Sequence, residues 1–386
     1  MNLRRSLLLS LASLFLLILA PTVHSQGNPT RGAMLWSTTY KCASCHATPP
    51  GPDVHQGVTP QGIINAINNT LLDPGMDVFK GTLTNNPTDL ADLAAYIALT
   101  DQPPPTTPDL NQHGLTGSWY EPATSGQGIE VEIFADPSSG SGSTFVSWFT
   151  FDTVAGGADH QRWYTAQGSV TTGQPTASLT IYQNTDGSFN APPATTATPV
   201  GTATLSFSTC SSGQFSYSFT DGTGRTGTIA LTRLLANVTC SITTPYPTNA
   251  DFALSGNWYA GPATAGQGFT IEVNPITPYL FLAWYTYEPG GTAAGAAGQR
   301  WYTAQAAFTP GMRSIPVMIY ETTGGIFNTP IAPPGPPTVA VGTGTLAFQS
   351  CTAATFTYIF TGGTSTGQTG TITLGRVGPV PPGCTS

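Results

Sequence analysis

Charge is scarce in this sequence. Lys and Arg together number 11 and Asp and Glu 19, so 8% of the 386 residues are charged and the balance is acidic. A basic patch for nucleic acid or for an anionic membrane has little to be built from, whereas basic partners would be steered to the surface at low salt. Long apolar runs are scarce too. The longest, Leu7 to Ala20, has 14 residues, short of the ~20 that cross a bilayer as a helix. Neither Gly-x-Ser-x-Gly nor His-Glu-x-x-His occurs, which removes two common hydrolase signatures. Turn chemistry takes the place of charge. The 44 glycines and 34 prolines suit many short strands and turns and do not suit helix bundles.

The apolar run follows Arg4 and Arg5 and precedes the short polar stretch Pro21-Thr22-Val23-His24-Ser25. A basic start, an apolar middle and small residues before a cut are the layout of a secretory signal, expected here over residues 1–25. The first cysteine is Cys42, so a lipid-modified terminus at the cut is not expected. Loss of Arg4 and Arg5 leaves 9 basic against 19 acidic residues, a balance of −10. The expected location is periplasmic or secreted in a bacterium, with no membrane span after cleavage, where disulfides persist.

The most specific motif is Cys42-Ala43-Ser44-Cys45-His46. Two thiols three apart can add across the vinyl groups of a haem, and the adjacent imidazole can then ligate the iron. The competing readings are a zinc knuckle, a redox dithiol and a disulfide. A second ligand pair for zinc is lacking nearby, and the proline-rich flanks give no βαβ context for a dithiol. Covalent haem c is therefore the expected cofactor, one per chain, tethered by Cys42 and Cys45 with His46 on the iron. The remaining axial position has two candidates. Met76 is favoured, because Met34 and Met76 are the only methionines between residues 26 and 100 and Met34 precedes the motif. His55 is the rival, although it lies only nine residues from His46.

Around this motif the pattern is helical. Pro29 to Trp36 can open a short helix; Thr59-Pro60-Gln61-Gly62 begins another carrying Ile63, Ile64 and Ile67. Leu90, Leu93, Ala94 and Ile97 form an i, i+3, i+4, i+7 stripe over residues 88–98. With the motif, Met76 and the closing Asp-Leu-Ala-Ala-Tyr96-Ile97 helix, residues 26–100 resemble class I cytochrome c. The resemblance implies an all-α domain around one haem, His46 proximal and Met76 distal, shuttling single electrons. The interval from His46 to Met76 is short for that family.

Residues 101–113, with four prolines by Pro108, read as a semi-rigid spacer. Beyond it the chain repeats itself over residues 114–241 and 252–386. Gly117-Ser-Trp119-Tyr120 returns as Gly256-Asn-Trp258-Tyr259, and Gly126-Gln127-Gly128 as Gly266-Gln267-Gly268. Gln161-Arg162-Trp163-Tyr164 returns as Gln299-Arg300-Trp301-Tyr302. Each copy holds about eight short alternating runs, which predict an all-β domain of eight antiparallel strands, barrel-like or a sandwich. The opening Gly-x-Trp-Tyr resembles the first strand of calycin-type barrels. The copies also look similar to a repeat module of secreted bacterial proteins with no established activity. Equivalent cysteines predict disulfides Cys210–Cys240 and Cys351–Cys384. Glu132 and Glu272, and Arg162 and Arg300, are equivalent and suggest a structural Arg–Glu pair within each barrel.

The function expected from sequence is therefore an exported mono-haem cytochrome carrying single electrons. It would use a redox partner protein, and its two β-domains would serve for docking or for binding a surface or small molecule. The alternative is a haem-based redox or gas sensor, or a binding protein whose β-domains hold the ligand. No enzyme activity is expected.

Overall fold

The computed structural model describes residues 27–44, 46, 59–68, 76–100, 107–291, 293–332 and 335–384. The chain forms two compact units, 1–103 and 104–386.

In the first unit the described residues include α1 (Pro29–Met34), α2 (Pro60–Asn68) and α3 (Pro87–Thr100), of 6, 9 and 14 residues. Asn28 caps α1 by accepting from the Arg31 N–H, and Arg31 pairs with Asp89 and Asp92 of α3. Gly32 lets α1 lie against the α3 backbone, since a Cβ there would collide with the Asp92 carbonyl. Trp36, Ile63, Ile67, Leu83, Leu90 and Leu93 are buried in one cluster.

The second unit is built of sixteen strands. The first eight are β1 (Gly117–Tyr120), β2 (Gly128–Phe134), β3 (Ser141–Phe151), β4 (Gln161–Thr171), β5 (Thr176–Gln183), β6 (Thr198–Thr209), β7 (Ser212–Phe219) and β8 (Thr226–Arg233). The second eight are β9 (Gly256–Tyr259), β10 (Gly268–Asn274), β11 (Tyr279–Tyr287), β12 (Gln299–Ala307), β13 (Ser314–Thr322), β14 (Thr338–Phe348), β15 (Ala353–Phe360) and β16 (Thr369–Arg376). Each set is a closed up-and-down barrel with sequential antiparallel neighbours. The first closes through Trp119 opposite Arg233 and the second through Trp258 opposite Arg376. Closure removes both sheet edges. Phe215, Tyr217 and Phe219 alternate into the first barrel, and Phe356, Tyr358 and Phe360 into the second. Cys210–Cys240 and Cys351–Cys384 are disulfide-bonded, each tying a barrel to the chain after its last strand across 30 and 33 residues.

The expected fold class is corrected. The architecture is a pair of closed eight-stranded antiparallel barrels, not an all-α cytochrome domain followed by two β-domains left open between barrel and sandwich. Three short helices among the described residues do not build that all-α domain. The periodic stripes on α2 and α3 give helices an inner face, but say nothing of what fold the helices assemble into.

Several strands depart from the alternation a lone barrel needs. β2, β3, β4, β10, β11 and β12 are buried on both faces where they meet the other barrel. Phe149, Phe151 and Trp163 from one side and Phe281, Tyr285, Tyr287 and Trp301 from the other form a shared apolar cluster. The outward aromatics thus join the two barrels.

Candidate functional site

Of the sites expected in the first unit, Cys42, His46 and Met76 are among the described residues. Cys42 opens a 3-10 turn, Cys42–Ser44, and packs partly buried against the helical cluster. The His46 ring lies against Trp36, centroids 5.8 Å apart. Met76 begins a second 3-10 turn and touches the same cluster. Cys45 and His55 lie outside the described residues. Among the described residues no group of three or more His, Cys, Asp or Glu is placed to hold a metal ion. The class I cytochrome c assignment is corrected accordingly, and with it the haem, iron-binding and electron-transfer reading. A five-residue pattern is satisfied by local sequence, whereas a haem centre also needs a fold that encloses the ring.

The repeated motifs instead build the junction between the barrels, and they do so reciprocally. The Gln161 amide donates to the carbonyls of Trp301 and Thr322, both at 3.0 Å, and accepts from the Trp301 N–H at 3.1 Å. Gln299 returns the pattern to Trp163 and Asn184 at 2.9 Å each. The Trp163 indole donates to the Thr286 carbonyl and that of Trp301 to the Thr150 carbonyl, at 3.2 and 2.8 Å. Tyr164 and Tyr302 point inward, while Arg162 and Arg300 pair with Asp152 and Glu288 of their own barrels.

The glutamates also act across the junction. Glu132 accepts from the backbone and side chain of Asn257 at 2.6 and 2.7 Å, and Glu272 from the Ser118 N–H at 2.7 Å. Gly117 and Gly256, at φ of 135° and 139°, allow this approach; a Cβ at either would strike the opposing carboxylate. The Gly of Gly-x-Trp-Tyr is thus an interface requirement. Glu132 pairs at 3.2 Å with Arg376 of the other barrel, both fully buried; the pairing expected with Arg162 does not form. Burial raises Glu132 to about 7 despite Arg376, and it holds Glu130 well above the usual carboxylate range. His113, whose ring lies tilted against that of its own counterpart Phe252 with centroids 5.5 Å apart, is driven by burial down to about 3.

A motif passed over in the sequence completes each barrel with a piece of the other. Gly187-Ser-Phe189-Asn190 and Gly325-Ile-Phe327-Asn328 occupy the loops after β5 and β13. Phe327 enters the core of the first barrel, 5.1 Å from Trp148 and 5.7 Å from Tyr217. Phe189 enters the second, 5.4 Å from Trp284. The Gln127 side chain accepts from the Asn328 N–H and Gln267 from the Asn190 N–H, both at 3.0 Å. Gly187 and Gly325 lie flat against Tyr287 and Phe151, where no Cβ fits. The repetition of Gly-x-Phe-Asn at the same place in both copies was the signal available.

One side of this paired junction is open. A cleft of about 360 Å³ is lined by residues of both barrels, including Phe145, Trp163, Thr165, Asn257, Tyr259 and Tyr285. None of its lining residues is charged. The Tyr285 hydroxyl is buried there with no hydrogen-bond partner among the described residues. Ser147 stands beside it without forming a regular hydrogen bond. At the equivalent place across the junction the space is filled. The Phe149 ring leans over Gly128, where a Cβ would come within 2.6 Å of it, and Pro336 covers Gly126. A smaller cavity of about 300 Å³, lined by His113, Phe252, Pro245 and Pro247, lies beside the connection between the barrels.

Fold and site together define a fused pair of up-and-down barrels with a neutral cleft where they meet. Comparison with protein-family models, with curated proteins and with solved structures found no match.

Proposed function

We propose that the protein is an exported binding protein whose joined barrels hold a small ligand in the cleft at their junction. One observation carries this reading. The barrel interiors are filled by their own aromatics and by the exchanged Phe189 and Phe327, whereas the junction keeps an open cleft with a buried, unbonded hydroxyl. Buried polar groups are nearly always satisfied, so an orphan facing a cleft points to a missing partner. Reciprocal hydrogen bonds fix the walls in advance, which lowers the entropy cost of binding. The lining has no histidine, carboxylate, lysine or cysteine, which favours binding over catalysis. Two disulfides fit an oxidising compartment, and no helix among the described residues is long and apolar enough to cross a membrane.

The test uses the full chain beside Thr165→Trp, which places an indole in the cleft from β4. Both are incubated with a small-molecule extract of spent bacterial medium, re-isolated by gel filtration and analysed by mass spectrometry. Molecules retained by the natural chain and lost from the equally stable variant are expected. Equal retention by both, or none by either, refutes the proposal.

A further inference from the structure

Resting on that reading of the cleft, we infer that its ligand is a neutral sugar, with a pyranose ring seated between aromatic walls and a hydroxyl bonded to Tyr285. The chemistry of the lining selects this class. Phe145 and Tyr259, both partly exposed, line the cleft with aromatic surface of the kind that takes the C–H face of a pyranose. Amides and hydroxyls are spread over several walls: Thr165 and Gln167 on β4, Asn184 and Thr195 around the β5–β6 loop. Asn184 already donates to Thr195 at 2.9 Å, whereas a hydrocarbon or a bare aromatic ring would leave Thr165 and Gln167 without partners, at a cost for each one desolvated. An anion or cation would enter a site with no charge to meet it. The cleft volume, about 360 Å³, falls within the range of small-ligand sites.

Comparison of the two copies shows where the site arose. Tyr285 stands where the first barrel has Phe149, and Ser147 where the second has Ala283. Thr270 stands where the first has Glu130. Two hydroxyls have been placed on the open side where the other copy has apolar groups, and one carboxylate is replaced by a neutral group. Among the described residues the Tyr285 hydroxyl has only Ser147 beside it and no regular hydrogen bond, so it is the group a ligand hydroxyl would meet.

Titration calorimetry on the full chain tests this with cellobiose, lactose, mannobiose and chitobiose as neutral probes and indole as the apolar control. At least one disaccharide is expected to bind, with Thr165→Trp abolishing the signal. Tyr285→Phe should weaken binding about tenfold, the loss of one hydrogen bond in a closed site. Phe is already accommodated at the equivalent position 149, so this variant is expected to fold. Indole binding that Thr165→Trp abolishes, with no sugar bound, overturns the sugar assignment and leaves the binding cleft standing. Sugar binding that neither variant alters places the sugar elsewhere and also overturns it. Binding of none of the probes overturns the sugar assignment too, and the extract experiment then decides separately whether the cleft binds at all.

Discussion

The two sides of the barrel junction are built from the same motifs and differ in what they leave empty. On one side Phe149 lies over Gly128 and Pro336 seals the rim; on the other Tyr285 turns from Gly268 and a cleft remains. The repeated residues are those the junction needs: Gln161 and Gln299, Trp163 and Trp301, Glu132 and Glu272. The cleft has walls of repeated residues too, Trp163 and Thr165 among them, and is set apart by a few that differ, Ser147, Thr270 and Tyr285. Duplication fixed a rigid frame, and divergence within it made a site on one side only.

The frame itself should fail first. Phe327 is buried in the first barrel, while Phe189 is only partly buried in the second. Phe327→Ala is expected to cost about 3–5 kcal/mol, in line with other buried aromatic truncations, and Phe189→Ala less. Urea unfolding of each full-chain variant, compared by midpoint at constant m, measures the difference; equal costs would mean that the two insertions are energetically equivalent.

The next asymmetry lies on the axis of the pair, where His113 faces Phe252. Folded His113 titrates near 3 against an ordinary 6.5, so between those values the unfolded chain binds more protons. Its contribution is therefore whole above pH 6.5 and lost as pH falls toward 3, on the order of a few kcal/mol. Glu132 acts in the opposite sense. Its folded value of about 7 exceeds the ordinary 4.5, so stability from this group is full below 4.5 and lost as pH rises through 7. His113→Phe should flatten the acid limb of a thermal-stability profile and Glu132→Gln the limb between 4.5 and 7.

Converting one side into the other gives smaller and opposite effects. Phe149→Tyr buries a hydroxyl with no partner in a filled space and should cost about 1–3 kcal/mol. Tyr285→Phe removes an unsatisfied hydroxyl and should raise stability by about 1 kcal/mol. Calorimetric melting points of the two variants should move in opposite directions. Movement in the same direction would mean that Tyr285 has a partner in the fold.

Much of this frame could be read from sequence, and its meaning could not. The duplicated strands, the Gln-Arg-Trp-Tyr motif and the placement of cysteines were visible because they recur. Alternation along β3 and β4 shows that a strand has two faces, but not that a second barrel covers the outer one. Alignment of the copies pairs Glu132 with Glu272, whereas the fold pairs Glu132 with Arg376, a residue from the far end of the other copy. The cleft was invisible for a related reason: it depends on a few positions where the copies differ, Ser147, Thr270 and Tyr285, set among residues that recur. At the N-terminus the opposite error operated. Cys42-x-x-Cys45-His46 carries strong chemistry in five residues, and that chemistry was extended to a fold the helices around it do not form.

The exchange of Phe189 and Phe327 has a consequence for how the chain is held in one piece. Each half carries the plug of the other, so residues 242–250, which lead from the Cys240 disulfide to the second barrel, also set a local concentration. A tether this short supplies millimolar effective concentrations, enough to favour self-completion over completion by a neighbour. At high protein concentration, or with that tether cut, halves from different chains can satisfy one another through the same contacts. The molecule is in that sense a homodimer whose two subunits were joined, after which one joint was left open.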